Sequence, residues 1–155
     1  KRKTALLISA SCKLGAIVSS APRREVWALG AYGHALGMAF QIVDDVLDVT
    51  AEAAELGKPI GGDIRQGIMT LPVILALHQS ENKERLRQLL AKTEKSEEDV
   101  IEVINLIKDS GAIDASMAYV DLYINKANSY LLELPNVPTR KALMDLAQFV
   151  KERKF

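Results

Sequence analysis

The chain has 155 residues, 20 acidic and 20 basic side chains, and 48% hydrophobic residues. That length and composition predict one globular domain with a substantial hydrophobic core. The zero formal net charge gives no indication of nucleic-acid binding. The single cysteine, Cys12, excludes an intramolecular disulfide and is expected to be a small buried residue. No signal-peptide pattern and no apolar run of about 20 residues is present, so we expect a cytoplasmic protein without a stable membrane anchor.

The chain opens on a basic stretch, residues 1–3, which is followed by Thr4 and an apolar helical pattern. Neither an initiator Met nor a capping residue precedes this pattern, which favours a helix already under way at the first residue. We therefore expect the sequence to be part of a longer protein. The first helix is predicted to end near residues 19–20, because Pro22 is suited to begin the next one.

A second helix is predicted over residues 22–49. Between residues 26 and 43 its only ionisable side chains are Tyr32 and His34, a composition typical of a helix buried nearly all round. His34 has no His or Cys partner at metal-binding spacing, so we interpret it as a packing residue without a role in the site. Each interior glycine costs about 1 kcal/mol relative to Ala, so we expect a compensating close approach of a helix or ligand that narrows a cavity wall. These glycines are Gly30, Gly33 and Gly37.

The apolar run ends in a cluster of polar side chains. Gln41, Asp44, Asp45 and Asp48 fall at i, i+3, i+4 and i+7, so they form one stripe on the predicted helix. Two carboxylates about 6 Å apart repel by roughly 3 kcal/mol at an effective dielectric near 20, so a buried group of three requires cations. An acidic stripe is ordinarily a solvated helix face, and Lys or Arg could also supply the charge. Because the preceding turns offer no solvated face, we favour Mg²⁺ shared with a phosphate-bearing ligand.

Residues 51–69 are predicted to form a long connection. Four glycines and Pro59 interrupt any regular pattern there, and long connections inside compact domains are commonly functional. The glycines would let the backbone approach phosphate oxygens closely, while Lys58 would neutralise charge. Asp63 could hold a metal-bound water.

The remaining sequence predicts further helices and no strand. Thr70 is expected to cap a helix that has Pro72 in its first turn. Residues 81–90 form a short amphipathic helix, and Ser96 caps another helix that Gly111 closes. A long amphipathic helix follows over residues 112–134, and the prolines after it precede a final helix. The fold class is therefore all-α.

Three segments together resemble the trans-isoprenyl diphosphate synthases. They are the pair Lys3-Thr4, FQIVDDVLD at residues 40–48, and GKPIGGDIRQGIMTLP at residues 57–72. Their order and approximate spacing are those of the family, and the resemblance covers the whole chain. It implies that residues 1–155 are the C-terminal half of an isoprenoid synthase helical bundle, without the half that carries the family's first aspartate-rich motif. Some members have a lysine where this chain has Ile68, so the role of that lysine is not transferred.

The resemblance implies roles for individual residues. The implied catalytic residues are Asp44, Asp45 and Lys58. The implied ligands of the cofactor Mg²⁺ are Asp44, Asp45, Asp48 and Asp63. The residues implied to bind the substrates are Lys3, Thr4, Phe40, Gln41 and Lys58.

The implied reaction condenses isopentenyl diphosphate head-to-tail with an allylic diphosphate to give a long all-trans polyprenyl diphosphate. The opening of the chain, the doubled Gly61-Gly62 and the KRKF ending most resemble component II of heptaprenyl diphosphate synthases, which supply menaquinone side chains. That likeness implies a heterodimer with a small component I subunit, with a homodimer as the alternative. Two other readings are a non-catalytic regulatory subunit, against which the intact DDVLD and Lys58 argue, and a class I terpene cyclase. We expect residues 1–155 alone to be inactive.

Overall fold

The computed structural model describes residues 2–50 and 60–153, with the backbone alone for Arg2. These residues form eight helices and no strand, which confirms the all-α prediction. In chain order the helices are α1 (Arg2–Val18), α2 (Arg23–Thr50), α3 (Gly62–Arg65), α4 (Leu71–Gln79), α5 (Lys83–Ala91), α6 (Glu97–Asp109), α7 (Ala112–Leu131) and α8 (Pro138–Glu152).

The helices belong to two compact units. Among the described residues, the first unit comprises residues 2–43 and 119–153, and the second comprises residues 44–50 and 60–118. Helices α2 and α7 each contribute residues to both units, because the boundaries between the units fall inside them.

In the first unit, α1 packs against α2 at its small residues. A β-carbon on Gly33 would lie 2.9 Å from the carbonyl oxygen of Ile8, and one on Gly37 would lie 2.6 Å from the Cα of Ala5. Backbone atoms cannot move aside as a flexible side chain can, so both positions exclude a side chain. The predicted close approach is therefore made, and the partner at these two glycines is a helix rather than a ligand. Cys12 is half-buried at this contact, and burial raises the pKa of its thiol.

Helix α2 contacts α8 as well as α1 in the first unit. The side chain of Tyr32 is 1% exposed, and its hydroxyl donates a hydrogen bond of 2.8 Å to the carbonyl oxygen of Leu143 on α8. Burial raises the pKa of Tyr32, so the hydroxyl remains a donor. This bond satisfies the polar end of an otherwise apolar buried ring.

Helix α2 also has the length and composition of a membrane-spanning helix. It has 28 residues, and the mean hydropathy of its most apolar 18-residue window is 1.2. The sequence expectation that no segment has such a composition is therefore wrong for α2. However, 56% of this window is buried inside the protein, and buried core helices share the same composition.

The outer face of α1 is apolar and uncovered in the described part of the chain. Its exposed side chains are Leu6, Leu7, Leu14, Ile17 and Val18. Their spacing follows the helical repeat, so they form one surface opposite the residues that contact α2. Such a contiguous apolar surface is typical of a site covered by further protein.

The second unit has its own core. The one-turn helix α3 contacts α6, and helices α4, α5 and α6 pack on one another. The buried side chains that they share with the end of α2 are Val49, Ile64, Val73, Ala76, Leu86, Leu89, Val100, Val103, Ile104, Ile107 and Ala112. This core holds the one-turn helix α3 against a rigid support.

Local chemistry explains where several helices begin and end. As predicted, Ser96 caps α6: it accepts a hydrogen bond from the Asp99 N–H, and the Asp99 side chain accepts one from the Ser96 N–H. Gly111, with φ of 74°, separates α6 from α7. Thr70 occupies the N-cap position of α4, but its hydroxyl makes no capping hydrogen bond and is buried without a partner among the described residues. Thr70 is therefore the N-cap residue, as predicted, but its hydroxyl does not supply the expected capping hydrogen bond.

We expect Gly37→Ala to lower the free energy of unfolding by about 1–3 kcal/mol, because the added methyl group must separate α1 from α2. The matched control is Gly15→Ala on α1, where a β-carbon would meet no atom within 4 Å. Gly15→Ala should stabilise the protein by up to about 1 kcal/mol through helix propensity. Urea denaturation followed by circular dichroism measures both changes, and equal effects of the two variants would contradict the close contact at Gly37.

Candidate functional site

The predicted polar stripe lies on one continuous helix, α2. Gln41, Asp44, Asp45 and Asp48 therefore have the i, i+3, i+4 and i+7 spacing that was predicted. Their environments differ: Asp44 is exposed, Asp45 is 4% exposed, and Gln41 and Asp48 are half-buried. Asp44 and Asp45 both take part in interactions within the protein. Asp44 is thus the aspartate of this stripe whose side chain reaches solvent most openly.

Asp48 connects α2 to the glycine-rich segment. Its Oδ1 accepts a hydrogen bond of 3.0 Å from the Gly62 N–H, and its Oδ2 accepts one of 3.1 Å from the Asp63 N–H. The Gly61 N–H also donates to the backbone carbonyl of Asp48 at 2.8 Å. These three bonds bring Asp63 beside the aspartate stripe. Residues 62–65 form the short helix α3, so the predicted irregular connection contains one helical turn.

This connection favours glycine strongly at position 61 and leaves little room for a side chain at position 62. Gly61 has φ of 73°, a conformation that favours glycine, and a β-carbon there would lie 2.5 Å from Cγ1 of Val100. A β-carbon on Gly62 would lie 3.3 Å from Oδ1 of Asp48, the oxygen that accepts the hydrogen bond from the Gly62 N–H. The doubled glycine in the sequence was a signal for this tight turn, although it did not identify Asp48 as the acceptor.

The electrostatics of Asp48 favour a nearby cation. Burial raises the pKa of Asp48, and the charges of Asp63 and Asp44 raise it further. The two backbone N–H bonds act in the opposite direction but do not outweigh burial. The net direction agrees with the sequence argument that clustered carboxylates require positive charge.

The donor chemistry of the stripe fits Mg²⁺ shared with a ligand. Within residues 2–50 and 60–153, no group of three or more His, Cys, Asp or Glu side chains forms a ready metal cage. Mg²⁺ in phosphate-binding sites commonly uses one or two carboxylates, with waters and phosphate oxygens as its other ligands. Asp44, Asp45, Asp48 and Asp63 as metal ligands remain predictions. Both oxygens of Asp48 accept backbone hydrogen bonds, so part of its acceptor capacity is already used.

The start of α1 lies beside the part of α2 that leads to Phe40 in the first unit. Gly30 meets the side chain of Lys13, whereas Gly37 meets Ala5, so the two helices run in opposite directions. The first turn of α1, with exposed Lys3 and half-buried Thr4, therefore lies at the end of this contact that approaches Phe40. Helical side chains lean toward the N-terminus, which directs Lys3 further the same way.

Phe40 has a contact that sequence reasoning missed. The guanidinium carbon of Arg153 lies 4.2 Å from the centroid of the Phe40 ring. The basic end of the chain was visible in the sequence, but the approach of a residue after α8 to α2 depends on tertiary packing.

The sequence interpretations of Lys58 and His34 have different outcomes. Lys58 lies outside the described residues, so its predicted role stays a prediction. His34, interpreted as a packing residue, is exposed instead and lines a cavity of about 280 Å³ with Tyr123, Lys126 and Tyr130 among others. This side of α2 faces α7 across the cavity, so His34 stays accessible to solvent.

Residues 1–107 match the family model of polyprenyl synthetases. The chain belongs to the polyprenyl synthetase family. It is 45% identical over 155 residues to heptaprenyl diphosphate synthase component 2 of Bacillus subtilis (strain 168), a match that covers 100% of this chain and 44% of that relative. The chain thus spans about half the length of the curated relatives it matches.

Solved polyprenyl synthetases have the same fold. The crystal structure of heptaprenyl diphosphate synthase from Staphylococcus aureus is 34% identical, with a TM-score of 0.91 over 99% of this chain and 48% of that one. Polyprenyl synthase from Caulobacter crescentus CB15, complexed with calcium and isoprenyl diphosphate, is 35% identical with a TM-score of 0.91. The latter match covers 99% of this chain and 47% of that one. Divalent metal use is therefore supported for the family.

We expect Asp48→Ala to lower the free energy of unfolding by about 2–3 kcal/mol, because the N–H groups of Gly62 and Asp63 lose their acceptors. Asp44→Ala should change it by less than about 1 kcal/mol, because Asp44 is exposed and interactions of exposed charges contribute little. Urea denaturation of the two variants tests the difference. A loss at Asp48 no larger than that at Asp44 would show that the Asp48 carboxylate does not hold the turn.

Proposed function

We propose that this chain contributes the second aspartate-rich half-site of a trans-polyprenyl diphosphate synthase. The observation that carries the proposal is the intact aspartate stripe on α2, whose last member holds the turn at Gly61 and Gly62. This arrangement occurs in a chain of the polyprenyl synthetase family. The similarity to heptaprenyl diphosphate synthases supports a heptaprenyl product, of a length suited to a menaquinone side chain.

In the proposed reaction, the bond between the allylic carbon and the diphosphate oxygen breaks and the diphosphate leaves. The double bond of isopentenyl diphosphate attacks the allylic carbon, and loss of a proton restores a double bond. Bound Mg²⁺ would supply Lewis-acid stabilisation of the charge on the departing diphosphate. Asp44 and Asp45 are proposed to hold the metal, while Asp48 keeps Asp63 and the glycine turn beside them.

The proposed substrate contacts come from the start of α1, from α2 and from the glycine-rich segment. Lys3 and Lys58 would neutralise diphosphate oxygens, and the Thr4 hydroxyl would donate a hydrogen bond. Gln41 would hydrogen-bond near the diphosphate or the developing positive charge. Phe40 would form an apolar wall beside the reacting carbon. The acids are not proposed as general bases, because their charge is needed for the metal.

The proposed partner is a small, dissimilar subunit. This proposal is supported by the similarity to proteins named component 2. A homodimer is the alternative. Sedimentation of the complete protein with and without a candidate component I subunit distinguishes the two assemblies.

We expect Asp44→Ala in the complete enzyme to lower kcat by about 100-fold or more, because a charge-stabilising ligand is lost while the helix is retained. Helical circular dichroism should not change. The control is Asp145→Ala, which removes another exposed carboxylate, on α8. Retention of more than about a tenth of the wild-type rate by Asp44→Ala would contradict the metal assignment.

Residues 1–155 by themselves are expected to make no polyprenyl product. A diphosphate and three aspartates together carry more negative charge than Lys3 and Lys58 can neutralise, so metal ions must supply the balance. Mg²⁺ requires near-octahedral coordination, and a half-site provides few protein ligands for it. The assay is condensation of farnesyl diphosphate with isopentenyl diphosphate under excess Mg²⁺. Product above background would show that this single aspartate motif is sufficient.

A further inference from the structure

We propose that Arg153 is a positioning residue that fixes the ring of Phe40 at the substrate end of α2. The inference rests on the proposed function, because that function assigns Phe40 to substrate binding. The guanidinium carbon of Arg153 lies 4.2 Å from the ring centroid, within the range of about 6 Å over which cations are attracted to aromatic faces. Both side chains are half-buried, so solvent screens the attraction less than it would at an exposed site.

Arg153 is supported by a well-anchored helix. It directly follows α8, whose residues Ala147 and Val150 are buried. Helix α8 is joined to α2 by the hydrogen bond from Tyr32 to Leu143, and to α7 by an ion pair of 2.5 Å between Lys151 and Asp121. The backbone that presents Arg153 is thus fixed relative to α2 within the first unit. The contact with Phe40 therefore connects two packed helices.

The chemistry of arginine suits this task. Its planar guanidinium stacks on an aromatic face, whereas the ammonium of lysine is a compact and strongly hydrated point charge. A stacked guanidinium limits rotation of the Phe40 ring. If Phe40 forms a wall of the substrate site, a ring free to rotate would enter the space that the allylic substrate occupies. We therefore expect loss of the contact to raise the KM for the allylic diphosphate more than it lowers kcat.

A simpler role for Arg153 must be separated from this one. A basic residue at the end of a helix also interacts favourably with the helix dipole, and Arg153 makes interactions beyond those with Phe40. Removing Arg153 alone would disturb all of them. A double-mutant cycle isolates the part that passes through the ring.

The test is the cycle of Arg153→Met, Phe40→Leu and the double variant in the complete, active synthase. We expect each single change to lower kcat/KM for the allylic diphosphate by about 3–10-fold. The kcat/KM of the double variant should be no lower than that of the less active single variant. Arg153→Lys should retain more activity than Arg153→Met. The control Arg24→Met, which removes an exposed arginine paired with Glu133 in the same unit, should behave as wild type. If the fold-decrease in kcat/KM of the double variant equals the product of the two single fold-decreases, the two residues act independently and the proposal is overturned.

Fluorine NMR provides a readout that does not depend on catalysis. Labelling with 4-fluorophenylalanine gives one signal for each phenylalanine, of which these 155 residues contribute three, and Phe40→Leu assigns the one of interest. Arg153→Met should shift the Phe40 signal, and Arg24→Met should not. An unchanged Phe40 signal in Arg153→Met would overturn the proposal. If the wild-type enzyme makes no polyprenyl product, the proposed function fails, and the fluorine signal still reports whether Arg153 holds the ring.

Discussion

The hydrogen bonds from the Gly62 and Asp63 N–H groups to the carboxylate of Asp48 are the interaction on which the candidate site depends. They join the end of α2 to the turn that begins α3, and so fix Asp63 beside the aspartates. The arrangement buries an acid at an energetic cost, because burial and two neighbouring carboxylates raise its pKa. A site that concentrates negative charge in this way is incomplete without cations, which agrees with a function in metal-assisted diphosphate chemistry.

Helix α2 can hold these groups because it is itself held by close packing. Gly33 and Gly37 admit the backbone of α1, and Tyr32 bonds to α8. The same packing places the first turn of α1 at the Phe40 end of α2, although Thr4 and Phe40 are far apart in sequence. Lys3, Thr4 and Gln41 are thereby carried on packed helices, which is how precise sites are commonly built.

Several features could be read from the sequence because their causes are local. The helix start at Ser96 and the helix end at Gly111 depend on residues next to one another in the chain, and both were predicted. The reciprocal hydrogen bond to the Asp99 side chain and the positive φ of Gly111 were seen only in the structure. Thr70 was correctly placed at the start of its helix, but its side chain is enclosed by the second unit and its hydroxyl makes no capping hydrogen bond. His34 was misread because helical periodicity cannot tell which apolar sides of a helix receive neighbours.

The sequence by itself determined the all-α class, the aspartate stripe and the likeness to prenyl synthases, because composition, helical spacing and short motifs are properties of neighbouring residues. Only the tertiary structure decided that Asp48 accepts hydrogen bonds from the glycine turn, and that the glycines of α2 receive a helix. It alone brought Arg153 onto Phe40. These contacts join residues that are distant along the chain, and they form only when buried surfaces fit together with no room for an added methyl group.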